Sequence, residues 1–359
     1  MTLLLAITTG CTPPPPSDLF GVDTAPEVEV TVPDAHSLAL MLTEGEAGAV
    51  GLSALDLDAA TWTEDVLTLN ADAWLTVLEG RALVVEGDRV RLFLPGMWDT
   101  PLAEWMMDEG DAPVAAAVCR DQLFLALYGR AALSVHDLDD GRRLGLVNLS
   151  DVADADGLPE PTSLAVVRNR LFLGLGNEDR FGGDVLGGQV VEVDCRGRVA
   201  LGGWPTDAPA TVASIPLDPS RLMVIDSNPD GDPDGGLRFI DLDEGWLSDP
   251  RLFEGLLRQE LVGMTPNGAH AVVRTRDPLG ADGLACLGLR DYAWTPLFNS
   301  PQDLVSAAAN DRGEVWVVAR AREGVPSSRS EVFTVQTETC SMGAPALLPS
   351  RPPLSVAFY

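Results

Sequence analysis

An all-β fold of repeated four-stranded units is predicted for this chain by three features of its 359 residues. Apolar runs of about 5–8 residues alternate with clusters of Gly, Pro, Asp and Asn, the rhythm of short strands and tight turns. The runs group in fours, and the same order of four returns along the chain, as in a repeat architecture. In each group the first run is rich in small residues and the second and third are bulkier. A strand of small residues suits the crowded axis of a radial array, so the units read as blades of a β-propeller.

In chain order, residues 36–69 supply only three runs and lack a first strand. Full units follow at 74–107, 111–149, 161–203, 209–255, 261–298 and 304–348. The clearest is 111–149, with APVAAAV, QLFLALY, ALSVHDL and RLGLVNL in succession. The final segment, Pro353–Tyr359, has the composition of the strand that the first unit lacks. Pairing it with the N-terminal blade closes the ring and removes the exposed edges of an open array. The expectation is therefore about seven four-stranded blades, with a short helix over Arg251–Val262 as the one exception to the strand pattern.

The third run of a unit ends in a recurring phrase at Asp56-Leu-Asp, Asp137-Leu-Asp-Asp-Gly and Asp241-Leu-Asp-Glu-Gly. Aspartate suits a turn there because its carboxylate can accept nearby backbone N–H groups. Units carrying V-x-D-L-D-x-G resemble the blades of YVTN, NHL and quinoprotein-like propellers over about 320 residues. The resemblance implies the fold. It does not extend to a quinone cofactor, because Gly141 and Gly245 lack the Gly-Lys/Arg-x-x-Trp ending of that pattern.

The N-terminus carries an address. Residues 1–10, MTLLLAITTG, are apolar, and Cys11 and a tetraproline follow. This resembles the end of a bacterial lipoprotein signal, in which the cysteine is acylated and becomes the mature N-terminus. Residues 11–33 read as a stiff, acidic, proline-containing linker and 34–359 as the propeller. The resemblance implies export to the cell envelope and, because Thr12 rather than Asp follows Cys11, the outer membrane. The lipid is then the only contact with the bilayer.

With 54 acidic and 24 basic residues the formal charge is −30, and every basic residue is arginine. Lysine-dependent covalent chemistry is excluded by composition, and so acidic a chain is no partner for nucleic acid. Cations or basic partners fit better.

The most acidic loop lies between Leu222–Ile225 and Leu237–Leu242. Asp226, Asn228, Asp230, Asp232 and Asp234 place oxygens at alternate positions around Gly231, as hard Ca²⁺ requires. The run resembles an EF-hand-like or dockerin-like loop, although Leu237 and Arg238 stand at and just after the twelfth position, where the bidentate Glu would be. Calcium is the one cofactor suggested. The equivalent loops of neighbouring blades, Gly176–Gly188 with Glu178, Asp179 and Asp184, and Arg276–Asp282 with Asp277 and Asp282, are also long and acidic. Propeller geometry puts all three on one face, where repeat proteins bind their partners.

No catalytic motif appears, and the three histidines (His36, His136, His270) have no metal-site or triad spacing. Four cysteines follow Cys11, and at most one disulfide is expected among them, with Cys286 a buried free thiol. The expected function is a monomeric, non-catalytic binding or scaffold module at the cell envelope. The alternative is a propeller hydrolase or lyase with its site at the central channel.

Overall fold

The computed structural model describes residues 37–359 except 46–47, 155, 177–186, 228–234, 323–328, 345 and 347. Its strands form seven antiparallel sheets, one for each predicted unit. Blade 1 combines residues 38–69 with 353–358, and blades 2 to 7 span 74–106, 113–148, 161–206, 210–253, 260–300 and 303–342. The closing strand Pro353–Phe358 pairs with Leu38–Glu44, with Leu40 opposite Ala357 and Met41 opposite Val356. Blade 5 is the irregular one. Its outer strand is two short pieces, Trp246–Leu247 and Leu252–Phe253, and the expected helix contracts to Glu254–Leu257.

Burial follows radial position. The second strands Arg81–Glu86, Gln122–Leu127, Arg170–Leu175 and Arg221–Asp226 are buried from their second residue onward. A strand covered on both faces by neighbouring blades needs an unbroken apolar run rather than alternation. Outer strands such as Thr61–Leu69 and Val199–Thr206 are largely exposed. Seven hydrophobic clusters each draw on two adjacent blades, one for each interface of a seven-membered ring. Met41, Leu55, Trp316, Val318 and Val356 fill the one between blades 7 and 1.

The recurring Asp-Leu-Asp phrase clasps one blade to the next. The first carboxylate of each phrase builds the turn: Asp56 Oδ1 accepts the Asp58 N–H at 2.9 Å, Asp137 Oδ1 that of Asp139 at 2.9 Å, and Asp241 Oδ1 that of Asp243 at 2.9 Å. Leu138 and Leu242 are driven into the cores shared with the preceding blade. The second aspartate then meets an arginine of that blade: Asp58 with Arg312 at 2.5 Å, Asp139 with Arg81 at 2.6 Å and Asp243 with Arg168 at 2.5 Å. These pairs are exposed and each contributes little; the buried leucines carry the energy. Gly141 and Gly245 hold positive φ (72° and 74°). Trp105 packs so tightly on Gly141 that a Cβ there would lie 2.4 Å from the ring, and Trp204 donates its indole N–H to Gly245 O at 3.0 Å.

The cysteines correct the sequence reading. Cys119 is joined to Cys195, with Cα atoms 6.1 Å apart, and Cys286 to Cys340, with Cα atoms 5.5 Å apart. Cys286 is therefore not a free thiol, and the structure contains two disulfides rather than one at most. Each bridge joins neighbouring blades: the end of an inner strand in blade 3 to the turn after the third strand of blade 4, and the third strand of blade 6 to the corresponding turn of blade 7. Position within a unit cannot reveal these pairs, because they form across blade faces that sequence spacing does not display. Sequence separations of 76 and 54 correspond to about 4 kcal/mol of unfolded-state constraint each on the chain-entropy estimate.

Candidate functional site

A cavity of about 470 Å³ lies against the inner strands of blades 2 to 5, lined by small and apolar residues such as Ala116, Ala117, Ala165, Val212 and Ala213. Glu79, at a turn, is the only titratable side chain in that lining. Among the described residues no group of three or more His, Cys, Asp or Glu side chains is arranged to hold a metal.

The face that carries the second-to-third-strand loops and the connections between blades is chemically richer. Acid–arginine pairs brace it around the ring: Glu44 with Arg320 at 3.2 Å, Glu86 with Arg91, Asp111 with Arg130 at 3.2 Å, Asp282 with Arg276 at 2.9 Å and Asp303 with Arg322 at 2.5 Å. Planar guanidinium groups suit this work because they hold carboxylates while donating further hydrogen bonds.

Carboxylates crowd most at the junction of blades 5 and 6. Asp226 is wholly buried. Its Oδ1 accepts the Gly236 N–H at 3.1 Å, and its Oδ2 lies 2.8 Å from Arg238 Nε. Arg238 also pairs with Asp207. Burial pushes the Asp226 carboxyl up to about 6, opposed mainly by the Arg238 charge. Arg238, just past the twelfth position of the acidic loop, thus compensates the first aspartate.

Glu254 opens the short helix and is 3% exposed. Its Oε1 accepts the Leu261 N–H at 2.6 Å. Burial pushes its carboxyl up to about 7; the Leu261 N–H and the Ser227 hydroxyl oppose the rise, and the charges of Glu260 and Asp226 add to it. Burial also raises Glu260, against the pull of Arg276. Gly235 closes the hairpin over this group: a Cβ there would stand 2.5 Å from Glu254 Oε2 and 2.4 Å from the Asp226 carbonyl. Gly235 thus roofs a buried glutamate that feels the charges of both Glu260 and Asp226.

Of the residues singled out from sequence, Asn228, Asp230, Asp232 and Asp234 lie outside the described residues, as do Glu178, Asp179, Asp184, Cys11 and His36. Asp277 is half-buried and shapes its own loop, accepting the Leu279 and Ala281 N–H groups at 2.9 and 2.8 Å. Asp282 is buried and ties blade 6 to blade 7 by accepting the Leu304 N–H at 2.7 Å. His136 is a satisfied core residue stacked on Trp105. Its Nδ1–H donates to Gly141 O at 2.9 Å, so Nε2 accepts from the Ser134 hydroxyl at 2.8 Å. Sequence reasoning missed Glu254, whose neighbourhood reads as irregular. It also missed the connection from blade 3 to blade 4, where Asp154 and Asp156 build successive turns and Glu160 is 3% exposed. The Asp-Ala-Asp-Gly spacing at 154–157 was the available signal.

No protein-family profile matches the chain, and no curated protein sequence matches it significantly. Solved structures do. A putative 6-phosphogluconolactonase from Bacteroides uniformis superposes with a TM-score of 0.65 at 12% identity, covering 91% of this chain and 100% of that one. Kuenenia stuttgartiensis hydrazine synthase gives 0.58 at 12% identity, covering 88% and 100%. AztD from Citrobacter koseri gives 0.54 at 10% identity, covering 90% and 98%. At such identities the likeness is one of fold alone, and the fold is a seven-bladed β-propeller.

Proposed function

We propose that this chain is a cell-envelope lipoprotein, acylated at Cys11 and held at the outer membrane, whose propeller is a non-catalytic binding module acting through its acidic loop face. One contrast carries the reading. The cavity against the inner strands of blades 2 to 5 offers Glu79 as its one titratable group among the described residues, whereas the loop face concentrates the buried carboxylates Asp226, Glu254 and Asp282. Calcium on the hairpin would be held mainly by Asn228, Asp230, Asp232 and Asp234, since Asp226 is committed to Arg238.

Photo-crosslinking in intact cells tests the reading. Reactive side chains placed at Gly255 or Pro278 on the loop face are expected to capture an envelope protein, and those placed at Asp139 or Asp243 on the opposite face are not. Cys11→Ala is expected to move the protein from the membrane to the soluble fraction. Capture from the opposite face alone, or undiminished membrane attachment of the Cys11→Ala variant, would overturn the corresponding half of the proposal.

A further inference from the structure

The joint between blades 2 and 3 holds a cavity of about 270 Å³, between the outer strand Ala103–Met106 and the turn that follows Asp137. Its lining includes Trp105, Met106 and Met107 from the end of blade 2 and His136, Arg142 and Arg143 from blade 3. Trp105 stacks on His136 with ring centroids 4.9 Å apart and packs against Gly141. The same joint recurs between blades 4 and 5, with Trp204 and Gly245 in the places of Trp105 and Gly141. There the indole N–H donates to the glycine carbonyl at 3.0 Å. In the first joint it does not. His136 Nδ1 lies 2.9 Å from Gly141 O and takes that carbonyl, whereas blade 5 has Ile240 at the matching position. The Trp105 N–H is consequently buried without a hydrogen-bond partner, a cost that a ligand acceptor would recover.

Arginine supplies the uncommitted charge at this cavity. The Arg142 side chain is 70% exposed, and its nearest carboxylates, Asp137 and Asp140, both stand 3.9 Å away, beyond hydrogen-bonding distance. Its guanidinium donors suit a carboxylate gripped at both oxygens. The acids nearby are engaged. Asp140 Oδ1 accepts the Arg142 backbone N–H at 2.9 Å, Asp137 Oδ1 that of Asp139 at 2.9 Å, and Asp108 sits between Arg130 and Arg143 at 3.2 and 3.3 Å. Met106, 66% exposed, and Met107 are unbranched and adaptable, so they can make way for an apolar body and open a path to the indole N–H. The volume falls just below the about 300–1,000 Å³ of drug-sized sites, which limits the ligand to a small molecule.

We propose that this cavity binds a small apolar carboxylate, its body against Trp105 and Met107, its carboxylate held by Arg142 and one oxygen taking the Trp105 N–H. The site is independent of the partner-binding loop face. It is tested by ligand-detected NMR on the full chain with three probes: phenylacetate, hexanoate and the neutral phenylacetamide. Both carboxylates are expected to bind, phenylacetate at least about tenfold more tightly than its amide, because hydrogen bonds to a charged group are the stronger ones. Arg142→Gln loses that preference while keeping its melting temperature, since the side chain is exposed and makes no hydrogen bond among the described residues. Trp105→Phe keeps an aromatic ring on His136 and weakens both carboxylates by about fivefold. Trp204→Phe, which alters the indole already bonded to Gly245, leaves binding unchanged. Failure of both carboxylates to bind at about 10 mM, equal affinity for phenylacetate and its amide, or binding untouched by the Arg142 or the Trp105 substitution overturns the proposal.

Discussion

Deleting residues 353–359 is expected to abolish cooperative folding. The segment supplies the inner strand of blade 1 and fills the interface with blade 7, where Phe358 meets Trp316 edge-on at 5.3 Å. Tyr359 extends the closure to blade 2. Its hydroxyl accepts the Ala82 N–H at 3.1 Å and donates to Phe93 O at 3.4 Å, and burial pushes the phenol up. Apolar burial of Leu354, Val356, Phe358 and Tyr359 contributes on the order of 1–2 kcal/mol each. The deletion also exposes the edge of Leu38–Glu44, a template for aggregation. The total approaches the about 5–15 kcal/mol that holds a typical domain together. Tyr359→Ala, a milder change, is expected to cost about 3 kcal/mol. Guanidinium unfolding followed by circular dichroism measures both, and a truncated protein that unfolds cooperatively at the native midpoint would refute the closure.

Glu254→Gln is expected to stabilise the protein at alkaline pH and to flatten its pH dependence. Burial pushes the folded carboxyl up to about 7 from the ordinary 4.5 of a glutamate, so the fold favours its protonated form. That contribution is fully present below about pH 4.5 and is lost as pH rises through about 7. Above that pH the ionised group costs on the order of 2–3 kcal/mol. Glutamine keeps the oxygen that accepts the Leu261 N–H and removes the charge. The difference in unfolding free energy between variant and native should be near zero at pH 4.5 and reach about 2 kcal/mol in the variant's favour at pH 8. A constant difference across that range would show that Glu254 is ionised throughout. Asp226→Asn is not an equivalent experiment, because it strips Arg238 of a buried partner.

The fold was legible because it repeats. Each second strand is covered on both sides, so its unbroken apolar run recurs often enough to count. The closing strand was legible for the same reason, since the first unit lacked one strand and the chain supplied a matching one at its other end. Partnerships between blades were not. Asp139 displays a turn in sequence, but its arginine is Arg81 in the preceding unit. Cys119 and Cys195 become neighbours only when blades stack. At the loop face the aspartates of 226–234 advertise an acidic hairpin, whereas the buried glutamate at its base, Glu254, lies in the one segment where strand periodicity breaks.

The central claim is that partner binding belongs to the acidic loop face and not to the cavity at the inner strands. Partner capture from a crosslinker at Pro278 should be measured in two backgrounds, Ala213→Trp, which fills that cavity, and Asp230→Asn/Asp232→Asn/Asp234→Asn, which neutralises the hairpin. Capture that survives the filled cavity and falls with the neutralised hairpin is the predicted result; capture lost on filling the cavity and indifferent to the hairpin would contradict it.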